Sequence, residues 1–583
     1  MVPGVGTRGH VSSASPNVEA GPRLRDGVVR IRQGLQWLEG VRPRYVLATL
    51  VAVEWLLTLG VALTVRHNGW LYYQGGDELW HYVTAWIMGQ GRLPHTAVGY
   101  AWSIVLLPFA LAGGPNLVTP LPFIVLLNVL VLMPVALLTA YGIGRRIGGR
   151  LFGYWVAALW ILVPLIGIKY ADAGYHQRYT ELLLPQSLGL TAMSDFPSMV
   201  ASIVAAYFAL RAVQDDLPWD GVFAGLFTGI ALGIKPSNAP LLVGIGLALL
   251  VGRRIRSIVF LGVGLAPGLL ALAVWKARGE GNLPVLHGSS GGGAIAARIA
   301  PVVGGLNIHK YAHPSWSYFM AQLNDLEQHF WSLRLLEWLA IAGTLGLLRR
   351  SRPLGVLFGG WFFSMIIVKW MTPGRGTIAD SDLLRQSIST IPAALVLLAG
   401  LLLLFPGIPH RLRAPDSQAW GTHRLRIGLA AGLVTLFGAV PLGLAAGLPL
   451  LSSSDTLSYY TQTGPSLSAP FPTDPGWRPT VTAAAGGIVR ISWKRLAPLG
   501  GTMDYNVLRA PGVQSVICPV TGGGAQCRLN TTVAAATRGT SFVDRPPAGR
   551  WVYRVVAVAS WINDPTAGNI FVAGSPVTIT VRR

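Results

Sequence analysis

This chain is short of charge. Asp, Glu, Lys and Arg make up 12% of its 583 residues, where a soluble domain carries about 25%. Acids are the scarcer sign, 24 against 46 Lys and Arg, for a formal net charge of +22. With 52% hydrophobic residues and a mean hydropathy of +0.49, the dilution comes from long apolar segments, so the chain reads as a polytopic membrane protein and not as a soluble enzyme. The arginines fall in short groups between apolar runs instead of gathering on one soluble face, which excludes nucleic-acid binding as the use of that charge. The opening MVPGVGTRGHVSSASPNVEAG lacks the apolar core of a cleaved signal peptide. The glycine run in HGSSGGGAIAARIAP has no Walker pattern and follows no strand, so it reads as a flexible loop. Only two cysteines occur, both in the C-terminal tail.

What is present is a series of apolar runs, about 44–65, 117–141, 151–169, 195–213, 220–234, 239–252, 257–276, 332–348, 354–371, 391–408 and 427–451. A membrane span needs about 20 apolar residues, so these predict about eleven transmembrane helices. Residues 1–43 form a basic, partly amphipathic N-terminal segment suited to the cytoplasmic surface. With the N terminus inside, Arg145/Arg146/Arg150, Arg253/Arg254/Arg256, Arg349/Arg350/Arg352 and Arg411/Arg413 all fall inside, as charge bias requires. The loops 66–116, 170–194, 277–331 and 372–390 then lie outside a cytoplasmic membrane, together with everything beyond about 452. Site chemistry is expected on that outer face, because the inner loops carry little besides arginine.

Residues 452–475 are rich in Ser, Thr and Pro and read as a linker. Beyond them VRISWKRL, DYNVLRAP, SFVDRPPAGRWVYRVVAVAS and SPVTITV alternate apolar and polar residues between Gly and Pro breaks, the pattern of a small antiparallel sandwich with Trp493 and Tyr553 as core aromatics. In spacing and strand order, 476–583 resembles a fibronectin type III domain. Cys518 and Cys527 in ICPVTGGGAQC are expected to form a hairpin disulfide in an oxidising compartment, with two free thiols as the alternative.

The first outer loop contains YYQGGDELWHY, Tyr72–Tyr82, which places Asp77 and Glu78 side by side at the start of an amphipathic helix. Leu79, Val83, Trp86 and Ile87 share one face, with Glu78, His81 and Gln90 elsewhere, so this helix is expected at the outer interface. GYAWSIVLLPFALAGG reads as a second interfacial helix. Helix capping accounts for one acid, not two. Three more sparse features fall on the same side: Asp195 in TAMSDFPS, Lys235 in GIALGIKPSNAP, and Arg385 in IADSDLLRQSISTIPAALVLL. Each has an ordinary alternative: a helix cap, a snorkelling lysine and a salt bridge to Asp380 or Asp382. His309 and His313 have i,i+4 spacing but no third metal ligand, and Pro314 disfavours a helix there.

An acidic pair in the first outer loop, with interfacial helices behind it and these three residues, resembles the GT-C glycosyltransferases over about 44–450. The resemblance implies a polytopic enzyme that moves a monosaccharide from a polyprenyl-phosphate donor to a glycan, lipid or protein acceptor of the cell envelope, outside the cytoplasmic membrane, with inversion. It implies Asp77 as base, with Glu78 orienting the acceptor or sharing that role, Asp195 as a second acidic position, and Lys235 and Arg385 as ligands of the donor phosphate. No metal is assigned, although a divalent ion at Asp77/Glu78 stays open. High Gly and Arg with little Lys suits a GC-rich bacterial coding sequence. A lipid-linked glycan ligase or polymerase is the alternative within enzymes; a multi-pass transporter or flippase, or a wall anchor, is the alternative outside them.

Overall fold

A computed structural model describes residues 33–34, 36–64, 77–96, 98–114, 117, 120–279, 313–331, 334–374, 376–379, 381–405, 420–452, 473–474, 477–496, 501–511, 531–561 and 570–582. Eight of its helices are long and apolar enough to cross a membrane: α1 Pro43–Thr64, α4 Leu121–Gly148, α5 Arg150–Tyr170, α7 Asp195–Asp215, α10 Ile255–Gly279, α13 Arg352–Trp370, α14 Asp382–Leu404 and α15 His423–Gly447. Three shorter helices occupy the remaining apolar runs: α8 Pro218–Ile234, α9 Pro240–Val251 and α12 Arg334–Arg350. At 12 residues α9 is about 18 Å long at 1.5 Å per residue, too short to cross a hydrocarbon layer alone. It packs along α13, where Gly244 sits so close that a Cβ would meet the Leu357 carbonyl at 2.4 Å.

The arginine-bearing ends of these helices meet at one end of the bundle. Arg150 donates to the Val41 carbonyl, Arg146 forks onto Asp215 at 2.8 and 3.1 Å, and Arg254 holds the Val213 carbonyl and Asp216. Arg350 reaches the Ile147 carbonyl and Arg349 the Leu404 carbonyl. Helix-end carbonyls lack intrahelical partners, and arginine supplies the missing donors. The opposite end is tied differently: Arg278 donates to the carbonyls of Ala445 and Ala446, and Leu93 bridges Pro449 and Leu451 through its backbone. The chain thus alternates between two chemically distinct ends.

Two helices from the first outer loop, α2 Asp77–Gly89 and α3 Tyr100–Gly113, form where expected but do not lie on a surface. Both are packed into the bundle. Glu78, His81, Val83 and Ile87 are all buried, so the side of α2 that reads as polar faces protein. It can do so because its polar groups meet partners there: Glu78 meets a backbone N–H and His81 stands by Ser103. A further helical layer, α6 His176–Leu182 and α11 Trp316–His329, covers the loop before α14. Tyr175 donates to the Ile378 carbonyl, Tyr318 to the Gly376 carbonyl and Gln322 accepts from Ile378 N–H.

The C-terminal region is two small, mainly antiparallel sheets. One contains β1 Thr473–Asp474, β4 Gly501–Pro511, β5 Thr531–Thr537, β7 Gly549–Trp561, β8 Ile570–Gly574 and β9 Val577–Val581; the other contains β2 Thr480–Ala484, β3 Ile488–Ser492 and β6 Ser541–Asp544. Period-2 alternation puts Val489, Ile491, Tyr505, Val507, Tyr553 and Val555 inward with Trp477 and Trp493. Cys518, Cys527 and the expected disulfide lie outside the described residues, as do His309 and most of the linker.

Candidate active site

The site lies at the bundle end opposite the arginines. Asp77 is the first residue of α2. Its Oδ2 accepts from Arg385 Nη2 at 2.9 Å, and Asp382 stands 3.9 Å from the same guanidinium. Arg385 belongs to the first turns of α14, and the chain enters that helix through Ser381 at φ 60, a left-handed conformation that a non-glycine residue adopts at a cost of about 1–2 kcal/mol. The layer around Ile378 holds that turn, and so aims Arg385 at α2.

Glu78, adjacent in sequence, goes elsewhere. Consecutive helical side chains do not face one another, and the Glu78 Oε1 accepts from the Ala192 N–H at 2.5 Å. The same short segment is held twice more: Trp102 donates to the Ala192 carbonyl at 2.7 Å and Asn128 to the Thr191 carbonyl at 2.8 Å. These contacts place the start of α7, and with it Asp195.

Asp195 is fully buried, and its Oδ1 is bonded to Lys235 Nζ. Among the described residues its Oδ2 has no hydrogen-bond partner. Lys235 follows α8 in an extended conformation (φ −143, ψ 102) that swings its side chain off the helix axis. Beneath that bend Gly99 lies against the helix end: a Cβ there would stand 2.1 Å from the Ile234 carbonyl. The two cations are similarly open, and less so than Asp77. Lys235 is 18% exposed and Arg385 21%, while Asp77 is 38% exposed.

The two pairs form one charged cluster. Arg385 interacts electrostatically with both Asp195 and Asp77. His81, one turn after Asp77, interacts with Asp77, Asp195, Lys235 and Lys276. Burial pushes its imidazole down to about 4, the two aspartates opposing the shift and the two lysines adding to it. His81 is therefore neutral near pH 7, with Nδ1 3.5 Å from Ser103 Oγ. Lys276, at the end of α10, reaches the carbonyls of Val98 at 3.3 Å and Thr96 at 3.5 Å.

Asp77, Asp195, Lys235 and Arg385 are thus brought together from four distant segments, while Glu78 is turned inward beside them. His81, Lys276 and the clamps Trp102 and Asn128 were not singled out from sequence. His81 has a signal in its i,i+4 spacing from Asp77; Lys276, one of two basic residues in the last turn of α10, has none. Asp77 and Glu78, the pair at which a divalent ion was left open, point to different partners, Arg385 and the Ala192 N–H. Among the described residues no three His, Cys, Asp or Glu side chains gather in a metal-binding group.

No protein-family model matches the chain, and no curated protein matches it. Among solved structures, the apo crystal structure of the Archaeoglobus fulgidus oligosaccharyltransferase superposes with a TM-score of 0.36 at 14% identity, covering 71% of this chain and 57% of that one. The chain thus spans little more than half of that neighbour, and at that degree of likeness neither fold nor activity transfers from it.

Proposed function

We propose that the protein is a membrane glycosyltransferase of GT-C type, moving a sugar from a polyprenyl-phosphate donor to an envelope acceptor on the outer side. The observation that supports this reading best is the Asp77–Arg385 pair. It sets a partly exposed carboxylate against a guanidinium at the bundle end far from the arginine-rich turns, where base and phosphate ligand are needed together. The pair also suggests an order of events. A donor phosphate that takes Arg385 leaves Asp77 without its cation and open to the acceptor hydroxyl. Asp77 then accepts the hydroxyl proton as the acceptor oxygen bonds to the anomeric carbon, and the carbon–phosphate-oxygen bond breaks on the opposite face. Anomeric configuration inverts. General-base catalysis contributes about 10²–10⁴-fold. Arg385, with its planar fork, and Lys235 neutralise the charge gathering on the leaving phosphate. Asp195 holds Lys235 in place, and neutral His81 adds no positive charge beside the base. Glu78 acts through the backbone, fixing α2 to the start of α7, in place of a direct contact with acceptor.

The test is transfer by purified protein from a polyprenyl-phosphate sugar. Asp77→Asn is expected to lower kcat by about 10²–10⁴-fold at unchanged yield; retention of most activity removes Asp77 as base. Arg385→Gln keeps a donor for Asp77 but loses the charge, and is expected to weaken donor binding by about 10-fold or more, the worth of a charge-assisted contact. Unchanged donor affinity in this variant removes Arg385 from the phosphate. A ligase or polymerase would instead use a pyrophosphate-linked glycan, so donor choice in the same assay separates the two.

A further inference from the structure

The C-terminal sandwich carries an imbalance that its packing does not use. Residues 476–583 contain twelve Lys and Arg against three Asp, with no Glu and no His. The two aspartates that fall among the described residues of this stretch are already engaged: Asp544 by Arg509 at 2.8 Å and by the Tyr553 hydroxyl at 2.6 Å, and Asp504 by Arg538 at 3.6 Å. Arg478, Arg490, Lys494, Arg495, Arg538, Arg545, Arg550 and Arg582 are exposed, whereas Asp504 and Asp544 are not.

The distribution of these cations matters as much as their number. Arg490 stands on the outer face of the three-stranded sheet, between Thr482 and Val543 of its neighbours. Arg550 is on the larger sheet, opposite Thr580. Lys494, Arg495 and Arg538 gather at one end, where Arg495 donates to the Arg538 carbonyl. A flat lipid surface meets one face of such a body, and cations on both sheets and at an end cannot all reach it. Insertion into a bilayer would also call for exposed apolar side chains, yet Val543 is the large one left open among the described residues of the sandwich. A flexible polyanion can follow charges around a body, and exposed like charges hold it through counterion release and long-range attraction. The hydroxyls of Thr480, Thr482, Ser492 and Ser541, paired across β2, β3 and β6 beside Arg490, suit a polymer rich in hydroxyl groups.

We infer that the sandwich binds an anionic polysaccharide, a flexible polyanion with a hydroxyl-rich chain. This site is separate from the proposed transfer site and holds whether or not the membrane part transfers sugar.

The experiment uses the full chain in phosphatidylcholine nanodiscs, with alginate as the anionic polysaccharide and dextran as its neutral counterpart. Binding to alginate and not to dextran, weakening as salt rises, is expected. Changing Arg490, Arg545 and Arg550 together to Ser should lower alginate affinity by about tenfold, by analogy with loss of phosphate-neutralising contacts, at an unchanged melting temperature. The same positions changed together to Lys should keep it. Equal retention on alginate and dextran overturns the inference. So does a Ser variant that binds alginate as well as the parent. Tighter binding to phosphatidylglycerol vesicles than to alginate also overturns it, in favour of a lipid surface.

Discussion

Asp77 and Glu78 show how far apart two neighbouring side chains can act. One is half-open and paired with a guanidinium from a segment 308 residues away, while the other is buried against a backbone N–H. The motif was legible as chemistry because carboxylates are scarce in this chain; the division of roles was not, since a 100° turn of helix sends each acid to a different neighbour. His81 shows the converse case. It reads as a polar residue on an amphipathic helix, and becomes a buried neutral imidazole in a charged cluster. Its titration makes a prediction with a definite sign. Its ordinary value is 6.5 and its value in the fold about 4. Below pH 6.5 the unfolded chain binds a proton that the folded one refuses, so stability falls as pH drops from 6.5 to 4, by about 3 kcal/mol at most at 1.36 kcal/mol per pH unit. Thermal melts across that window should fall more steeply for the parent than for His81→Gln. Parallel curves would show that His81 titrates normally.

At the scale of elements, the site depends on how helix ends are held. The segment before α7 is short and irregular, and Glu78, Trp102 and Asn128 grip two of its residues by their backbone groups. Glu78→Ala strips the partner from a buried N–H, which costs about 1–3 kcal/mol. Glu78→Gln keeps an acceptor and is expected to retain most of the lost melting temperature. An equal loss in both variants would mean that the charge of Glu78, and not its hydrogen bond, secures the segment. Lys235 depends on Gly99 in the same way. Its backbone, at φ −66 and ψ 140, suits any residue, so only space demands glycine there. Gly99→Ala drives a methyl into the end of α8, an overpacking worth about 1–3 kcal/mol, and should weaken donor binding although no charge changes. Unaltered donor affinity at a lowered melting temperature would separate α8 packing from phosphate binding. Apolar runs predicted where the helices fall but not how many of them are long enough to span: about eleven were expected, and eight among the described residues have that length. The burial of α2 was not predictable, because an amphipathic pattern is the same whether the polar face meets water or polar protein.

For the whole molecule, one end of the bundle gathers arginines bound to carbonyls and aspartates, and the other gathers the paired acids and cations. The bundle therefore has two distinguishable ends, and the orientation proposed from charge bias puts the arginine end in the cytoplasm. In a chain with Cys518 and Cys527 replaced by Ser, a single cysteine at exposed Asp382 should react with an impermeant maleimide on intact cells. One at exposed Arg253 should react only after permeabilisation. The reverse pattern would invert the proposed orientation and put the site inside.

By itself the amino-acid sequence determined that this is a chain of long apolar helices with a β-rich tail, the approximate runs of those helices and the core of the sheets, and it made four scarce charged residues conspicuous. Hydrophobic length and period-2 alternation act within a segment, and a rare charge in an apolar chain is conspicuous without a partner. Which charges pair was decided only by tertiary structure. Asp77 with Arg385, Asp195 with Lys235 and Glu78 with the Ala192 backbone are contacts between segments far apart in the chain. Their geometry is set by the packing of whole helices, and no local pattern encodes it.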